Sequence, residues 1–202
     1  MRAELLVHVI DDDDAVRDSL AFLLDTADFL VRTYESADAF LAKLPTLDPG
    51  CIITDVRMPG LSGLDLVRRL NEMGVGMPVI VITGHGDVPL AVEAMKGGVI
   101  DFIEKPFDDD VILKALKTAF EVGEHRNHRD EERAAVAARL GMLSARERQV
   151  LNGVVAGQPN KVVAHELGIS PRTVEVYRAN LMTKMQAASL SELVRMVLTA
   201  EA

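Results

Sequence analysis

Five short apolar runs recur through the first part of the chain: LLVHVI (5–10), LVRTY (30–34), CIITDV (51–56), PVIVIT (78–83) and IDFIE (100–104). Amphipathic stretches with helical spacing separate them, and Gly60, Gly74, Gly84 and Gly97–Gly98 punctuate the alternation. Runs such as VIVIT are apolar throughout rather than alternating, as strands covered on both faces must be. The pattern predicts an α/β unit, a five-stranded parallel sheet wound on both sides by five helices.

From Asp108 the periodicity becomes helical (VILKALKTAF) and runs into EVGEHRNHRDEERAAVAARL, rich in Ala, Glu and Arg and without a strong apolar face. That stretch predicts a solvated linker helix. After Gly141 no strand pattern occurs. Ser144 with Glu147, and Ser189 with Glu192, have capping-box spacing and mark helix starts, with two further helices expected near 160–167 and 171–185. The expected division is therefore 1–123, a linker over 124–140, and an all-α domain over 141–202.

Composition supports two cores, since 49% of the residues are hydrophobic; aromatics are only 4%, so Val, Leu, Ile and Met must do the packing. The single cysteine, Cys51, excludes an internal disulfide framework and fits a reducing compartment. The apolar run near the start is too short for a signal peptide and no run is long enough to span a membrane, so a soluble cytoplasmic protein is expected. The net charge of −9 is uneven: residues 1–123 carry 22 acidic and 11 basic side chains, 124–140 carry 4 and 4, and 141–202 carry 5 and 7.

In an open parallel sheet, ligands sit beyond the carboxyl ends of the strands. Four such ends supply Asp11 and Asp12, Asp55, Thr83 and Lys105. Three neighbouring carboxylates demand a cation, and hard oxygen ligands select Mg²⁺. Carboxylate, hydroxyl, lysine and Mg²⁺ together make a phosphoryl site in which an aspartate attacks phosphorus. Asp13 and Asp14 read instead as cap or first-turn residues of the helix beginning near Ala15.

The segments VIDDD, TDVRMPGLSGLDL, VIVITGHGD and DFIEKPF, in that order over about the first 120 residues, resemble the receiver domain of two-component response regulators, a flavodoxin-like fold. The resemblance implies that Asp55 accepts a phosphoryl group from a histidine kinase. It implies that Asp12 and Asp55 bind Mg²⁺ directly, with Asp11 acting through water and Arg57 contributing its backbone carbonyl, and that Thr83 and Lys105 contact the phosphoryl oxygens. A cis Lys105–Pro106 bond is also implied. Thr83 and Phe102 would form a switch, the ring moving as the hydroxyl is drawn inward, and Val92, Met95 and Lys96 would lie on the surface that changes and dimerises. A competing pattern exists, because DDDAV from Asp12 fits the D-x-D-x-[TV] signature of haloacid-dehalogenase-type phosphatases, with Asp12 as nucleophile and Asp14 as acid/base; it leaves Asp55 and RMPGLSG unexplained.

In NKVVAHELGISPRTVEVYRANLMTKM, the small Ala164, Gly168 at the turn, Ser170–Pro171 at a helix start and the apolar series Val174, Tyr177, Leu181, Met185 fit a helix-turn-helix. Arg172, Thr173, Glu175, Val176, Arg178, Ala179 and Lys184 remain outside that series, as a recognition helix would present them, and Lys161 joins them from the preceding helix. The same spacing also fits a helical bundle that binds no DNA. The longer stretch LSARERQV through LMTKM resembles the LuxR-type DNA-binding domain, and the two halves together resemble the NarL/FixJ class of regulators.

That class implies a transcription activator, not an enzyme, with promoter DNA and RNA polymerase as partners; within it the segments VITGHGDVPLAVEAMK and FIEKPF resemble the activators of nitrogen-fixation genes, which implies a FixL-like oxygen-sensing kinase upstream. A net charge of about +2 in the last 62 residues neutralises few phosphates, so one copy should bind DNA weakly and phosphorylation-driven homodimerisation should restore affinity. The alternative is a receiver-type adaptor acting on a protein partner.

Overall fold

The computed structural model describes residues 5–84 and 88–201, the side chains of Asn127 and Glu201 excepted; His85–Asp87 of the VITGHGD segment lie outside the described residues. Contacts divide the chain into two units, which meet in sequence at Asn127 and His128.

The first unit holds strands β1 (Leu6–Ile10), β2 (Leu30–Tyr34), β3 (Cys51–Asp55), β4 (Val79–Thr83) and β5 (Asp101–Glu104). They form one fully parallel sheet in the order β2-β1-β3-β4-β5. β1, β3 and β4 are buried along their whole length, whereas β2 and β5 are edge strands with exposed positions. The alternation of side chains sends Ile10, Ile52 and Val81 to one face, packed with Phe40, Leu66 and Leu70. Val9, Ile53 and Ile80 go to the other, against Leu20, Leu24, Ile112 and Leu116. Each fully buried Leu, Ile or Phe contributes about 1.5–3 kcal/mol relative to exposure, so these layers hold the strand ends in place. Cys51 lies within the second layer, and burial pushes its thiol pKa up.

The intervening helices are α1 (Asp14–Thr26), α2 (Ala37–Lys43), α3 (Gly63–Glu72) and α4 (Val88–Lys96), with a 3₁₀ turn at Leu44–Thr46. α5 (Asp109–Gly141) runs unbroken from the first unit into the second. Gly123, which looks like the end of the receiver pattern, sits inside α5, buried where a Cβ would lie 3.4 Å from the Pro78 ring. The helix thus continues through this glycine, as the unbroken periodicity from Asp108 predicts.

The second unit is helical: the end of α5, then α6 (Ala145–Val155), α7 (Asn160–Leu167), α8 (Pro171–Met185) and α9 (Leu190–Glu201). The Ser144–Glu147 box closes in both directions. At the second box Ser189 caps the Glu192 N–H, but the Glu192 carboxylate reaches back to the Ala188 N–H instead of the Ser189 N–H. Val150, Leu151, Val174, Leu181 and Met185 form the core.

Candidate functional site

Two sites in the molecule place ionised side chains at the heart of a unit. In the first unit, β1 and β3 are adjacent, so their carboxyl ends bring Asp11 and Asp55 side by side. Both carboxylates are buried, and the Lys105 ammonium from the far end of β5 bridges them, 2.8 Å from Asp11 Oδ2 and 2.9 Å from Asp55 Oδ1. The remaining oxygens are also engaged: Asp11 Oδ1 accepts the Asp13 N–H at 2.9 Å and Asp55 Oδ2 the Arg57 N–H at 2.6 Å. Burial alone would push the Lys105 pKa down; its bonds to Asp11 and Asp55, with their charges, outweigh that and raise it.

The backbone holds this geometry tightly. Gly63, first residue of α3, passes so close to β3 that a Cβ there would lie 2.1 Å from the Asp55 carbonyl oxygen. The Lys105 N–H donates to the Thr83 carbonyl at 2.7 Å, and the Lys105–Pro106 peptide is cis. Thr83 is itself buried at the end of β4.

Asp12 is exposed, and among the described residues no three His, Cys, Asp or Glu side chains stand close enough to hold a metal. The structure therefore gathers Asp11, Asp55 and Lys105, leaving Asp12 outside. The Asp13 side chain caps α1 by accepting the Ala15 N–H, while Asp14 opens the helix and pairs with Arg17. Asp14, the acid/base of the phosphatase-like spacing, is thus engaged with Arg17. Arg17 is a site residue that sequence reading missed: its Nη1 donates to the Asp11 carbonyl at 2.6 Å and fixes the end of β1. Its signal was only that it follows Asp14 by three residues on a helix.

Phe102 is partly buried and packs against the first hydrophobic layer, paired in register with Val81. On α4, Val92 and Met95 are 47% and 53% exposed, and Lys96 is exposed beside them.

In the second unit Gly168 takes φ +65 between α7 and α8, a left-handed turn that suits glycine. Ser170 caps α8 by accepting the Thr173 N–H at 3.1 Å, and Pro171 follows at the first helical position. Val174, Leu181 and Met185 are buried and Tyr177 is partly so. Lys161, Arg172, Glu175, Val176 and Ala179 are exposed. Two members of the expected recognition set have internal partners: Arg178 Nη1 donates to Asn160 Oδ1 at 2.6 Å, and Lys184 Nζ to Glu147 Oε2 at 2.8 Å. Thr173 is half-buried, its hydroxyl 2.8 Å from that of Ser170. Glu147, read from sequence only as a cap, is a second overlooked hub. The Lys184 ammonium first, then the Ser144 N–H and hydroxyl, hold its pKa down to about 2.

Residues 7–117 match the response regulator receiver domain family, and residues 141–197 match the luxR family of bacterial regulatory proteins. The chain belongs to the response regulators. This regulator is 59% identical to the transcriptional regulatory protein FixJ of Azorhizobium caulinodans over 200 residues, covering 99% of this chain and 95% of that one. It is 54% identical to the FixJ of Bradyrhizobium diazoefficiens, over 96% of this chain and 95% of that one. Among solved structures it is similar to full-length FixJ from B. japonicum, with 52% identity, a TM-score of 0.61 and 98% of each chain covered. The response regulator StyR is also similar, with 39% identity, a TM-score of 0.81, and 97% of this chain and 99% of that one covered. The molecule is a two-component transcription regulator: a flavodoxin-like receiver and a LuxR-type helix-turn-helix domain in one chain. No described helix is long and apolar enough to cross a membrane.

Proposed function

We propose that Asp55 is the phosphoryl acceptor of this regulator and that its acyl phosphate drives dimerisation on promoter DNA. The observation that carries the reading is the Lys105 bridge: two buried carboxylates share one ammonium, which leaves a net negative charge in a place where burial penalises it. Such a site calls for a further cation. The carboxylates of Asp11, Asp12 and Asp55 and the Arg57 carbonyl are hard oxygen donors suited to Mg²⁺, with the exposed Asp12 turning inward to join the set. When bound, Mg²⁺ screens the charge of the incoming phosphoryl group and of the carboxylates around it.

The residues divide the work. An Asp55 carboxylate oxygen attacks phosphorus of a phosphohistidine donor; the new P–O bond forms as the P–N bond breaks, and the histidine nitrogen leaves with its electron pair. Arg17 and the Asp13 N–H hold Asp11 in position. Lys105 follows the transferred charge from the carboxylates to the phosphoryl oxygens, and the Thr83 hydroxyl donates to the same oxygens. Phe102 moves into space that Thr83 vacates, and α4 with Val92, Met95 and Lys96 becomes the dimer surface. A swing from 1:99 to 99:1 between the two states needs about 5.5 kcal/mol of differential interaction, of which charge-assisted bonds at Thr83 and Lys105 supply a substantial part.

In this reading residues 1–123 form the switch, 124–140 the helical linker and 141–202 the DNA reader, whose contacts are Lys161, Arg172, Thr173, Glu175, Val176 and Ala179. Arg178 and Lys184 act mainly by bracing α8. A FixL-like sensor kinase, nitrogen-fixation promoters and RNA polymerase are the corresponding partners, in the cytoplasm. Treatment with a radiolabelled phosphoryl donor and Mg²⁺, followed by sedimentation and gel shift on a FixJ-type promoter fragment, tests it. Labelled dimer with raised affinity is expected; a labelled monomer with unchanged affinity would overturn the dimerisation step, and labelling that survives Asp55→Asn would overturn the acceptor.

A further inference from the structure

Three residues before Asp11, β1 carries a histidine that the regulatory reading leaves unused. His8 is fully buried, and both of its ring nitrogens have a partner. Nε2 lies 3.1 Å from the Asp48 carbonyl oxygen, which can only accept, so Nε2 carries the proton. Nδ1 of the neutral ring is then an acceptor, and the Tyr34 hydroxyl donates to it at 3.2 Å. The segment before β3 reaches the ring because Gly50 has no side chain: a Cβ there would lie 2.4 Å from the Leu6 carbonyl oxygen and 3.2 Å from the His8 ring.

Tyr34 is in turn the anchor of an edge strand. Of the five residues of β2 it alone is buried. Its ring meets Phe40 edge-on, centroids 5.1 Å apart, and the Lys43 ammonium stands 5.6 Å from its centre. The Tyr34 backbone carbonyl accepts the Asp11 N–H at 3.2 Å. The side chain that fixes the end of β2 therefore also fixes the acceptor on which the Asp11 backbone hangs, while Lys105 holds the Asp11 carboxylate.

We propose that His8 and Tyr34 are positioning residues for the acidic site: the bond between them fixes the end of β2 and, through the Tyr34 carbonyl, the place of Asp11. They act through the backbone and not by contact with the phosphoryl group or the metal. The inference rests on the reading of Asp11 as a carboxylate of the Mg²⁺ site, where the partners behind the ligands govern affinity.

Protonation of Nδ1 would turn that acceptor into a donor and break the bond as it stands, so Asp11 should be held less firmly in acid. The charged and titratable groups around the ring are Tyr34 and Arg32 of β2, Asp48 before β3 and, across the Tyr34 ring, Lys43 of α2. Burial outweighs the Asp48 carbonyl, and Arg32 opposes the Asp48 carboxylate, so the ring stays neutral until pH falls below 6.5.

The test uses the full-length protein without a phosphoryl donor. Calorimetry reads Mg²⁺ affinity, and hydrogen exchange reads the Asp11 amide in the metal-free protein. Tyr34→Phe and His8→Leu should each weaken Mg²⁺ binding about tenfold. They should also speed exchange at Asp11 while the β4 amides exchange as before; if His8→Leu does not fold, Tyr34→Phe carries the test. His8→Gln, whose amide can accept from Tyr34 and donate to Asp48, should behave as the parent at neutral pH. As pH falls below 6.5, the parent should lose Mg²⁺ affinity more steeply than His8→Gln. Leu70→Ala truncates the same hydrophobic layer and should lower the urea midpoint with Mg²⁺ affinity unchanged. Unchanged affinity and Asp11 exchange in Tyr34→Phe would overturn the proposal. So would an equal loss of affinity in Leu70→Ala, a full loss in His8→Gln at neutral pH, or coincident pH profiles of the parent and His8→Gln. If the parent binds no Mg²⁺ the metal reading falls, and positioning then stands or falls on Asp11 exchange alone.

Discussion

The two units each set a lysine against buried carboxylate that is distant in sequence, and they differ in how completely the charge is balanced. At the carboxyl ends of β1 and β3, one ammonium serves two carboxylates. At the junction of α6 and α8, one ammonium serves one carboxylate, and the Ser144 N–H and hydroxyl join it at the same oxygen, Glu147 Oε2. A pair whose charges balance calls for no further cation and acts as a brace. A site with surplus negative charge is poised for a cation and for chemistry. What separates the two clusters is therefore charge balance, since in both the carboxylates are buried and hydrogen-bonded.

Changing each cluster in turn sharpens this contrast. The largest effect belongs to Asp55→Asn, which should abolish stable phosphoryl labelling altogether while both units stay folded by circular dichroism. Next is Lys105→Met. With the shared ammonium gone, the receiver should lose about 1–3 kcal/mol in urea unfolding without divalent ions. Mg²⁺ should then restore more stability to the variant than to the parent, through binding to the folded state. An equal Mg²⁺ effect on both proteins would show that the surplus charge is unimportant.

The pH dependence should separate the two clusters without mutation. Lys105 has a raised pKa, so its contribution is complete below 10.5 and is lost as pH rises through the higher folded-state value. Glu147 is depressed to about 2, so its contribution is present above 4.5 and disappears as pH falls toward about 2. Alkali should loosen the receiver site and acid should loosen α6 from α8, each followed by amide exchange resolved by unit. The receiver has an acid limb of its own. His8 is buried between the Tyr34 hydroxyl and the Asp48 carbonyl, and burial lowers its pKa, so stability falls as pH drops below 6.5 toward the folded-state value. His8→Gln should remove that limb. The smallest effect is expected at Arg68, which pairs on the surface with Asp65 and with Glu93 across α3 and α4: Arg68→Ala should cost less than about 1 kcal/mol in urea unfolding, because exposed pairs are screened.

Much of this is legible in the amino-acid sequence. Apolar runs of strand length predicted the five strands, and Gly168, Ser170 and Pro171 predicted the turn and the start of α8 at the residues where they occur, because these signals are local. Asp11, Asp55 and Lys105 were also legible, since a parallel sheet gathers its strand ends on one edge. The partner of Lys184 was not. Glu147 lies 37 residues away on a helix whose crossing with α8 is set by the packing of Val150, Leu151, Val174 and Leu181, and no periodicity encodes that angle. Arg17 was hidden for a related reason: its acceptor is a backbone carbonyl, which every residue possesses.

Cys51 has a practical consequence for following the switch. It is the only thiol in the chain, it is buried in β3, and burial holds its proton on at neutral pH, so alkylating reagents should pass it by. A cysteine introduced at an exposed position such as Met95 on α4 would then be the single reactive handle of the molecule. Spin labels or fluorophores could be attached there without first removing the native cysteine from the β3 layer.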